Sequence, residues 1–196
     1  MASFSVFRNM NNDFKNYIFI LIFSLFLSFQ GHAQFIKQES PGIKTAGDVL
    51  LFAVPASTLA TTLILKDREG SWQFTKGFIL NQVVTFGLKV ALNKPRPHHN
   101  GDNAFPSGHT STTFQSAAFI HERYGFKYSI PAYALAGFTA FSRINAQKHD
   151  GYDILAGAVV GIGSSLIFTS PYEREHMELT FSSNEHAALL GFTYKF

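Results

Sequence analysis

Three short stretches of this chain combine cations, histidines and a carboxylate. They read KVALNKPRP, FPSGHTS and SRINAQKHDGYD. The candidate site residues in them are Lys89, Arg96, Ser107, Gly108, His109, Arg143, His149 and Asp153. Arginine binds phosphate oxygens in pairs and lysine supplies a point charge. A pocket of this composition would neutralise the charge that builds up on oxygen atoms during phosphoryl transfer.

The histidine of the third stretch is spaced for nucleophilic chemistry. His149 and Asp153 are four residues apart, so on a helix they share a face. A carboxylate on one imidazole nitrogen fixes the tautomer and leaves the other nitrogen as a nucleophile. Alternatively, His149 and Asp153 are a solvated pair at the start of a helix, or half of a metal site.

The second stretch is expected to open a helix at Ser107, Gly108 and His109. The N–H groups and partial positive charge of a helix N-terminus suit a phosphate, and glycine allows the anion close to the backbone. Alternatively, Ser107 is only an N-cap, Lys89 extends from an apolar helix toward water, and Arg96 is a surface charge in a loop.

The elements that must hold these residues are helices with short connections. We expect helices at about 49–65, 73–93, 107–125, 131–145 and 149–170, after a polar lead-in with a turn at Pro41-Gly42. The segment KDREGSW is expected to connect the first two helices. This pattern predicts an all-α bundle of about five helices over residues 45–172. If the helices alternate in direction, all three stretches meet at one end of the bundle.

The two termini differ from the bundle. Residues 1–33 have a basic start, a short apolar run and a small-residue exit, which predict a cleaved signal peptide or, alternatively, an uncleaved membrane helix. Residues 173–196 contain MELTFSS and ALLGFTYKF, strand-like runs that predict a short C-terminal β-hairpin.

The composition favours a membrane-associated protein. Only 15% of the residues are charged, against about 25% in an ordinary soluble domain. Segments 49–65 and 154–170 are apolar enough to be candidate spans, and we expect much of the remaining bundle to tolerate water. The net charge of +3 and the lack of a basic stripe argue against a nucleic-acid partner. With no cysteine, disulfides and thiolate chemistry are excluded. The oligomeric state is left open.

In order and spacing, the three stretches resemble the K-x6-RP, PSGH and SR-x5-H-x3-D signature of the type-2 phosphatidic acid phosphatase superfamily, which also includes vanadium haloperoxidases. The resemblance implies that His149 attacks phosphorus, that His109 acts as general acid and base, and that Asp153 orients His149. It further implies that the other candidate site residues bind phosphate, without a metal or cofactor, and that vanadate inhibits. The implied substrate is a phosphate monoester or diphosphate of a lipid. The implied location is the bacterial envelope, with the site facing the periplasm.

Two other functions stay open at this stage. One is a vanadate-dependent haloperoxidase, although the chain is short for one. The other is a catalytically silent module that binds a lipid head group. The second depends on Asp150, which follows His149 where the family commonly has an aromatic residue, and which adds a negative charge beside the anion site.

Overall fold

The computed structural model describes residues 40–99, 101–172, 177–184 and 187–194 of the 196-residue chain. Within these residues the helices are α1 Pro41–Ile64, α2 Arg68–Leu92, α3 Gly108–Tyr124, α4 Phe126–Asn145 and α5 Gly151–Phe168, with a 3-10 turn at Pro97–His99. The predicted bundle of five helices is confirmed. The predicted signal peptide lies outside the described residues.

Two antiparallel strands follow the bundle, β1 Met177–Asn184 and β2 Ala187–Tyr194. Their side chains are not among the described parts of the structure. The predicted hairpin therefore stays a proposal, and no step of the catalytic account depends on it.

The first two helices begin earlier than the sequence pattern predicted. Pro41 starts α1, where its missing N–H is not needed, so the expected turn at Pro41-Gly42 is wrong. Asp67 caps α2 by accepting a hydrogen bond from the Gly70 backbone at 2.8 Å. The expected connection KDREGSW is therefore helical from Arg68 onward. In both cases residues typical of turns form the first turn of a helix.

The fourth helix also begins earlier than predicted. Gly125 separates α3 from α4 with a φ of 101°, a conformation that glycine adopts without steric cost. Pro131, the expected first residue, lies inside α4. A proline near the start of a helix removes one backbone hydrogen bond, and the packing of α4 against α1 and α3 maintains the helix around it.

The centre of the bundle is α3, which contacts each of the other four helices. Its buried side chains are mostly small and polar, and they include Thr110, Ser111, Thr113, Ser116 and Ala117. Many of the hydroxyls bond to the carbonyl of the preceding turn, as Ser116 does to Thr112 at 3.1 Å. The core is therefore formed by close helix packing rather than by large apolar side chains.

Two glycines bring α5 against the start of α3. A Cβ atom at Gly157 would lie 2.6 Å from the carbonyl oxygen of Ser107, and one at Gly161 would overlap the carbonyl oxygen of Ser111. Only glycine allows this approach. It fixes the N-terminus of α3, which carries the second motif, beside the N-terminus of α5, which carries the third.

The outside of the bundle is apolar. On α2 the exposed side chains form one stripe at Ile79, Val83, Phe86 and Val90. Helices α1 and α5 are long and apolar enough to cross a membrane. A lipid environment favours this arrangement, in which small and polar residues lie between the helices and apolar residues lie outside. It fits membrane association and argues against the expectation that much of the bundle tolerates water.

A buried ion pair closes the end of the bundle away from the three motifs. The guanidinium of Arg123 donates to both carboxylate oxygens of Asp67, at 2.6 and 2.7 Å, and Tyr124 donates to the same carboxylate. Arg123 also donates to the Ser170 carbonyl at 3.0 Å. The α1–α2 connection, the end of α3 and the segment after α5 are thus held together.

Candidate active site

The three motifs meet at one end of the bundle. The Ser107 backbone N–H donates to the Asp153 carbonyl at 2.9 Å, which joins the start of α3 to the start of α5. Arg143, near the end of α4, donates to Asp48 of α1 at 2.6 Å. Lys94, just after α2, donates to Asp153 at 2.8 Å. Helix ends from all five helices therefore contribute to one polar cluster, as alternating helix directions predict.

The His149–Asp153 pair is buried. Its side chains are 5% and 0% exposed, and His149 Nδ1 lies 3.6 Å from the nearest carboxylate oxygen. That separation is beyond a normal hydrogen bond, so Nδ1 has no hydrogen-bond partner among the described residues. Burial lowers the pKa of His149, and the charges of Lys89 and Arg96 lower it further, while Asp153 opposes them. The imidazole is therefore neutral at neutral pH, the form that a nucleophile requires.

The Asp153 carboxylate is fixed from two other directions. One oxygen accepts from Lys94, and the second accepts from the Asp150 backbone N–H at 3.0 Å. In return, the Asp150 side chain accepts from the Asp153 backbone N–H at 3.0 Å, which completes a capping box at the start of α5. Lys94 also pairs with Asp150.

This geometry explains the unusual Asp150. It is the N-cap of α5, and its charge is paired with Lys94 rather than directed at a bound anion. The main reason to suspect a silent module is thereby removed. Sequence reasoning missed Lys94, which lies in the unspecified spacer of the first motif. The sequence shows the charge of Lys94, but no local pattern indicates that its partner, Asp150, lies 56 positions further along the chain.

His109 and Arg143 share a carboxylate that the motifs do not include. One oxygen of Asp48 lies 2.9 Å from His109 Nε2 and accepts from Arg143 Nη1 at 2.6 Å. Burial lowers the pKa of His109 to about 4, the positive charge of Arg143 contributes to this, and Asp48 opposes it. In the sequence, Asp48 showed only as the charge that precedes an apolar run.

The arginine of the third motif is built into the fold. Arg143 is buried, and besides its bond to Asp48 it donates to the Lys44 carbonyl at 2.7 Å and to Ser142 Oγ at 3.0 Å. A Cβ atom at Gly47 would overlap Ser142 Oγ and lie 2.6 Å from Arg143 Nη2. Close packing of α1 on α4 thus holds the guanidinium in position.

The two cations of the first motif both bond to the loop that precedes α3. Lys89 Nζ donates to the Asn103 carbonyl at 2.6 Å, and Arg96 Nε donates to the Asp102 carbonyl at 3.3 Å. A Cβ atom at Gly108 would make only ordinary contacts, the nearest 3.7 Å from Lys89 Cε. The fold itself therefore does not require glycine at position 108.

Ser107 occupies the N-cap position of α3, but its side chain does not accept the hydrogen bond that is usual for an N-cap serine. Instead, it accepts a hydrogen bond from Thr110 Oγ1 at 3.0 Å. The alternative of Ser107 as a simple side-chain cap is therefore not supported. The N–H groups of the first turn of α3 are not taken up by this serine.

No group of three or more His, Asp or Glu side chains placed to hold a metal ion occurs in the part of the chain that the structure describes. The expected independence of metal ions stays a prediction, and it requires a test with a chelator.

An apolar groove of about 550 Å³ runs between α1 and α2 near the cluster. Its lining includes Leu51, Phe52, Leu59, Phe74, Phe78 and Thr112. Leu51 of α1 follows Asp48 by three residues and Thr112 of α3 follows His109 by three, so the groove begins about one helical turn from the site.

The sequence profile of the PAP2 superfamily matches residues 70–176. This range contains every site residue that the sequence predicted, and also Lys94, but it does not contain Asp48.

Two similar proteins act on the same lipid. A lipid A 4'-phosphatase of Helicobacter pylori is 32% identical over 142 residues, which are 67% of this chain and 71% of that protein. A lipid A 1-phosphatase of Porphyromonas gingivalis is 39% identical over 122 residues, 54% of this chain but only 27% of that longer protein.

A solved structure has a similar fold. The crystal structure of LpxE from Aquifex aeolicus superposes with a TM-score of 0.60 over 70% of this chain and 92% of that one. At 21% sequence identity, this likeness concerns the fold.

Proposed function

Because the chain belongs to the PAP2 superfamily and is a lipid phosphatase of that family, we propose that it removes a phosphate group from lipid A through a phosphohistidine intermediate. One observation carries the mechanism: a buried, neutral His149 paired with Asp153 lies among Lys89, Arg96 and the N-terminus of α3.

In the proposed first step, His149 Nε2 attacks phosphorus and the bond from phosphorus to the lipid oxygen breaks. His109 gives its proton to that oxygen, so the lipid leaves as an alcohol. Lys89, Arg96, Arg143 and the first N–H groups of α3 neutralise the charge on the three equatorial oxygens.

In the second step, the oxygen of a water molecule attacks phosphorus, and His109 takes a proton from that water. The bond between phosphorus and His149 Nε2 breaks, and inorganic phosphate is released. Asp153 stabilises the positive charge that forms on the imidazole during attack. Ser107 and Gly108 contribute backbone groups to the anion site.

The lipid class of the substrate has two supports. The named relatives act on lipid A, and the apolar groove between α1 and α2 begins about one turn from the phosphate site. An acyl chain of a substrate in the site would find an apolar path along α1. The relatives include both a 1-phosphatase and a 4'-phosphatase, so the choice of phosphate is left to experiment.

The remaining organisation is proposed around this activity. Residues 45–172 form the catalytic domain, residues 1–33 a signal peptide or membrane helix, and residues 173–196 a tail with a β-hairpin. The site faces the periplasm of a bacterial envelope, and vanadate acts as an inhibitor rather than a cofactor.

Purified protein in detergent should release phosphate from lipid A. Mass spectrometry of the product identifies the position, because 1-phosphate and 4'-phosphate lipids give different fragments. Phosphatidic acid, undecaprenyl diphosphate and an aryl phosphate serve as comparison substrates. A protein that hydrolyses phosphatidic acid but neither phosphate of lipid A would contradict the substrate, and one that hydrolyses no phosphate compound would contradict the function.

A further inference from the structure

Asp48 contacts two residues of the proposed site but belongs to none of the three motifs. It lies in the second turn of α1, outside residues 70–176 matched by the family. One of its oxygens meets both His109 Nε2 and Arg143 Nη1. The Asp48 side chain is 46% exposed, so it borders the open part of the cluster rather than the core.

We propose that Asp48 is the positioning residue of the acid–base histidine, forming with His109 a second aspartate–histidine pair in addition to His149 and Asp153. This inference rests on the proposed phosphatase function. It assigns a role in the reaction to a residue of α1, a helix that the sequence analysis used only as a candidate membrane span.

The two ring nitrogens of His109 have different roles. Because Nε2 of His109 faces a carboxylate, Nε2 carries a proton in both the neutral and the charged imidazole. The nitrogen that gains and loses a proton during the reaction is then Nδ1. Without Asp48, the proton of a neutral His109 could reside on either nitrogen, and part of the enzyme would hold the wrong tautomer.

The surroundings of His109 disfavour a positive charge on its ring. Burial has the largest effect, and the charges of Arg143 and His149 add to it. Asp48 is the carboxylate that opposes them at contact distance. A histidine that must protonate a leaving oxygen needs such a partner.

The proton balance of each step is simple. The first step starts from the charged imidazole, which the negative charge of a bound phosphate favours. As the lipid oxygen leaves phosphorus, Nδ1–H of this imidazolium gives it a proton, and Nε2–H remains bonded to Asp48. As water attacks the phosphohistidine, Nδ1 takes a proton from it. Asp48 neither gains nor loses a proton in either step.

The test is a double-mutant cycle between Asp48→Asn and His109→Gln. Asparagine keeps the shape and an acceptor oxygen but removes the charge. The measured quantity is kcat/KM for an alkyl phosphate, which has a poor leaving group, and for a nitrophenyl phosphate, which needs little protonation. Val49→Ala, at an exposed neighbouring position of α1, is the matched control.

We expect Asp48→Asn to lower kcat/KM for the alkyl phosphate by about 10- to 100-fold, within the usual range of acid–base catalysis, and to change it much less for the nitrophenyl phosphate. In the His109→Gln background the same substitution should have almost no effect. Val49→Ala should behave as the wild type.

Equal losses in both backgrounds, or equal losses for both substrates, would overturn the proposal, because Asp48 would then act through Arg143 or the fold. If Asp48→Asn does not fold, as judged by its melting temperature in detergent, Asp48→Ala, which also removes the charge, replaces it and must show the same dependence on leaving group and on His109. A wild-type protein with no activity on either ester would instead overturn the proposed function, and this inference with it.

Discussion

The two arginines at the candidate site differ in how strongly each one is bonded to the rest of the fold. Among the described residues, the Arg96 side chain makes one long hydrogen bond, at 3.3 Å to a loop carbonyl. Arg143 is buried and bonds to Asp48, Lys44 and Ser142. Removing Arg96 should therefore affect catalysis much more than folding, whereas removing Arg143 should affect both.

Arg96→Ala should lower kcat by about 10²- to 10³-fold, the usual cost of losing one donor to a transition-state oxyanion, with little change in melting temperature. Arg96→Lys should recover only part of the rate, because the paired geometry is lost. Arg143→Ala should lower both the rate and the melting temperature. Steady-state kinetics and thermal melts in detergent measure these effects, and full activity in Arg96→Ala would remove that residue from the site.

Lys94 gives a prediction about pH. Its ammonium balances the charge of Asp153, which is fully buried. In Lys94→Met the carboxylate charge is less balanced, so it favours protonated His149 and raises the pKa of His149. The nucleophile must be neutral, so the acid limb of the kcat/KM profile should move to higher pH.

Stability should also fall in Lys94→Met, by less than the ~3–5 kcal/mol typical of breaking a fully buried pair, because Lys94 is one-third exposed. Lys94→Arg keeps the charge and serves as the control, with its acid limb close to that of the wild type. An acid limb at the same or a lower pH in Lys94→Met would contradict the coupling of Lys94 to His149 through Asp153.

Single residues show where sequence reasoning succeeded and where it could not. Spacing predicted that the motif residues converge, because each motif lies at a helix end and the helices alternate. Asp48 and Lys94 could not be found this way. Asp48 meets residues 61 and 95 positions away, and such contacts depend on which helices pack together rather than on any local pattern.

At the scale of helices, the number of elements was predictable but their starts were not. Proline, glycine and charged residues before an apolar run are typical of a connection between helices. Three helices instead begin among these residues, at Pro41, Arg68 and Phe126. Helix α3 is rich in hydroxyl side chains, yet it forms the centre of the bundle, because these hydroxyls are satisfied within the helix or by its neighbours.

The contact between α3 and α5 predicts a difference between two glycines of α5. Gly161→Ala would press a methyl group into the Ser111 carbonyl and should destabilise the protein by about 1–3 kcal/mol, as overpacking does. Gly163→Ala meets open space and should be neutral or stabilising, since alanine is the better helix former. Thermal melts of both variants in one detergent measure the difference, and equal melting temperatures would contradict the packing described.

For the molecule as a whole, the exposed apolar faces predict behaviour in membranes. Helices α1 and α5 are candidate spans, and α2 adds an apolar stripe, so the protein should remain in the membrane fraction after alkaline carbonate extraction. Detergent should be needed to release it. Complete release by carbonate would show that the apolar exterior is covered by something other than lipid.

The central claim is that His149 carries the phosphoryl group during turnover. The most direct measurement is to mix the enzyme with radiolabelled lipid A, stop the reaction within one turnover and examine the protein. The account predicts an acid-labile, base-stable phosphoenzyme that is absent in His149→Ala, formed equally in the presence of a chelator, and suppressed by vanadate. Turnover without any labelled protein, or label that persists in His149→Ala, would contradict it. So would activity that a chelator abolishes and a divalent metal restores.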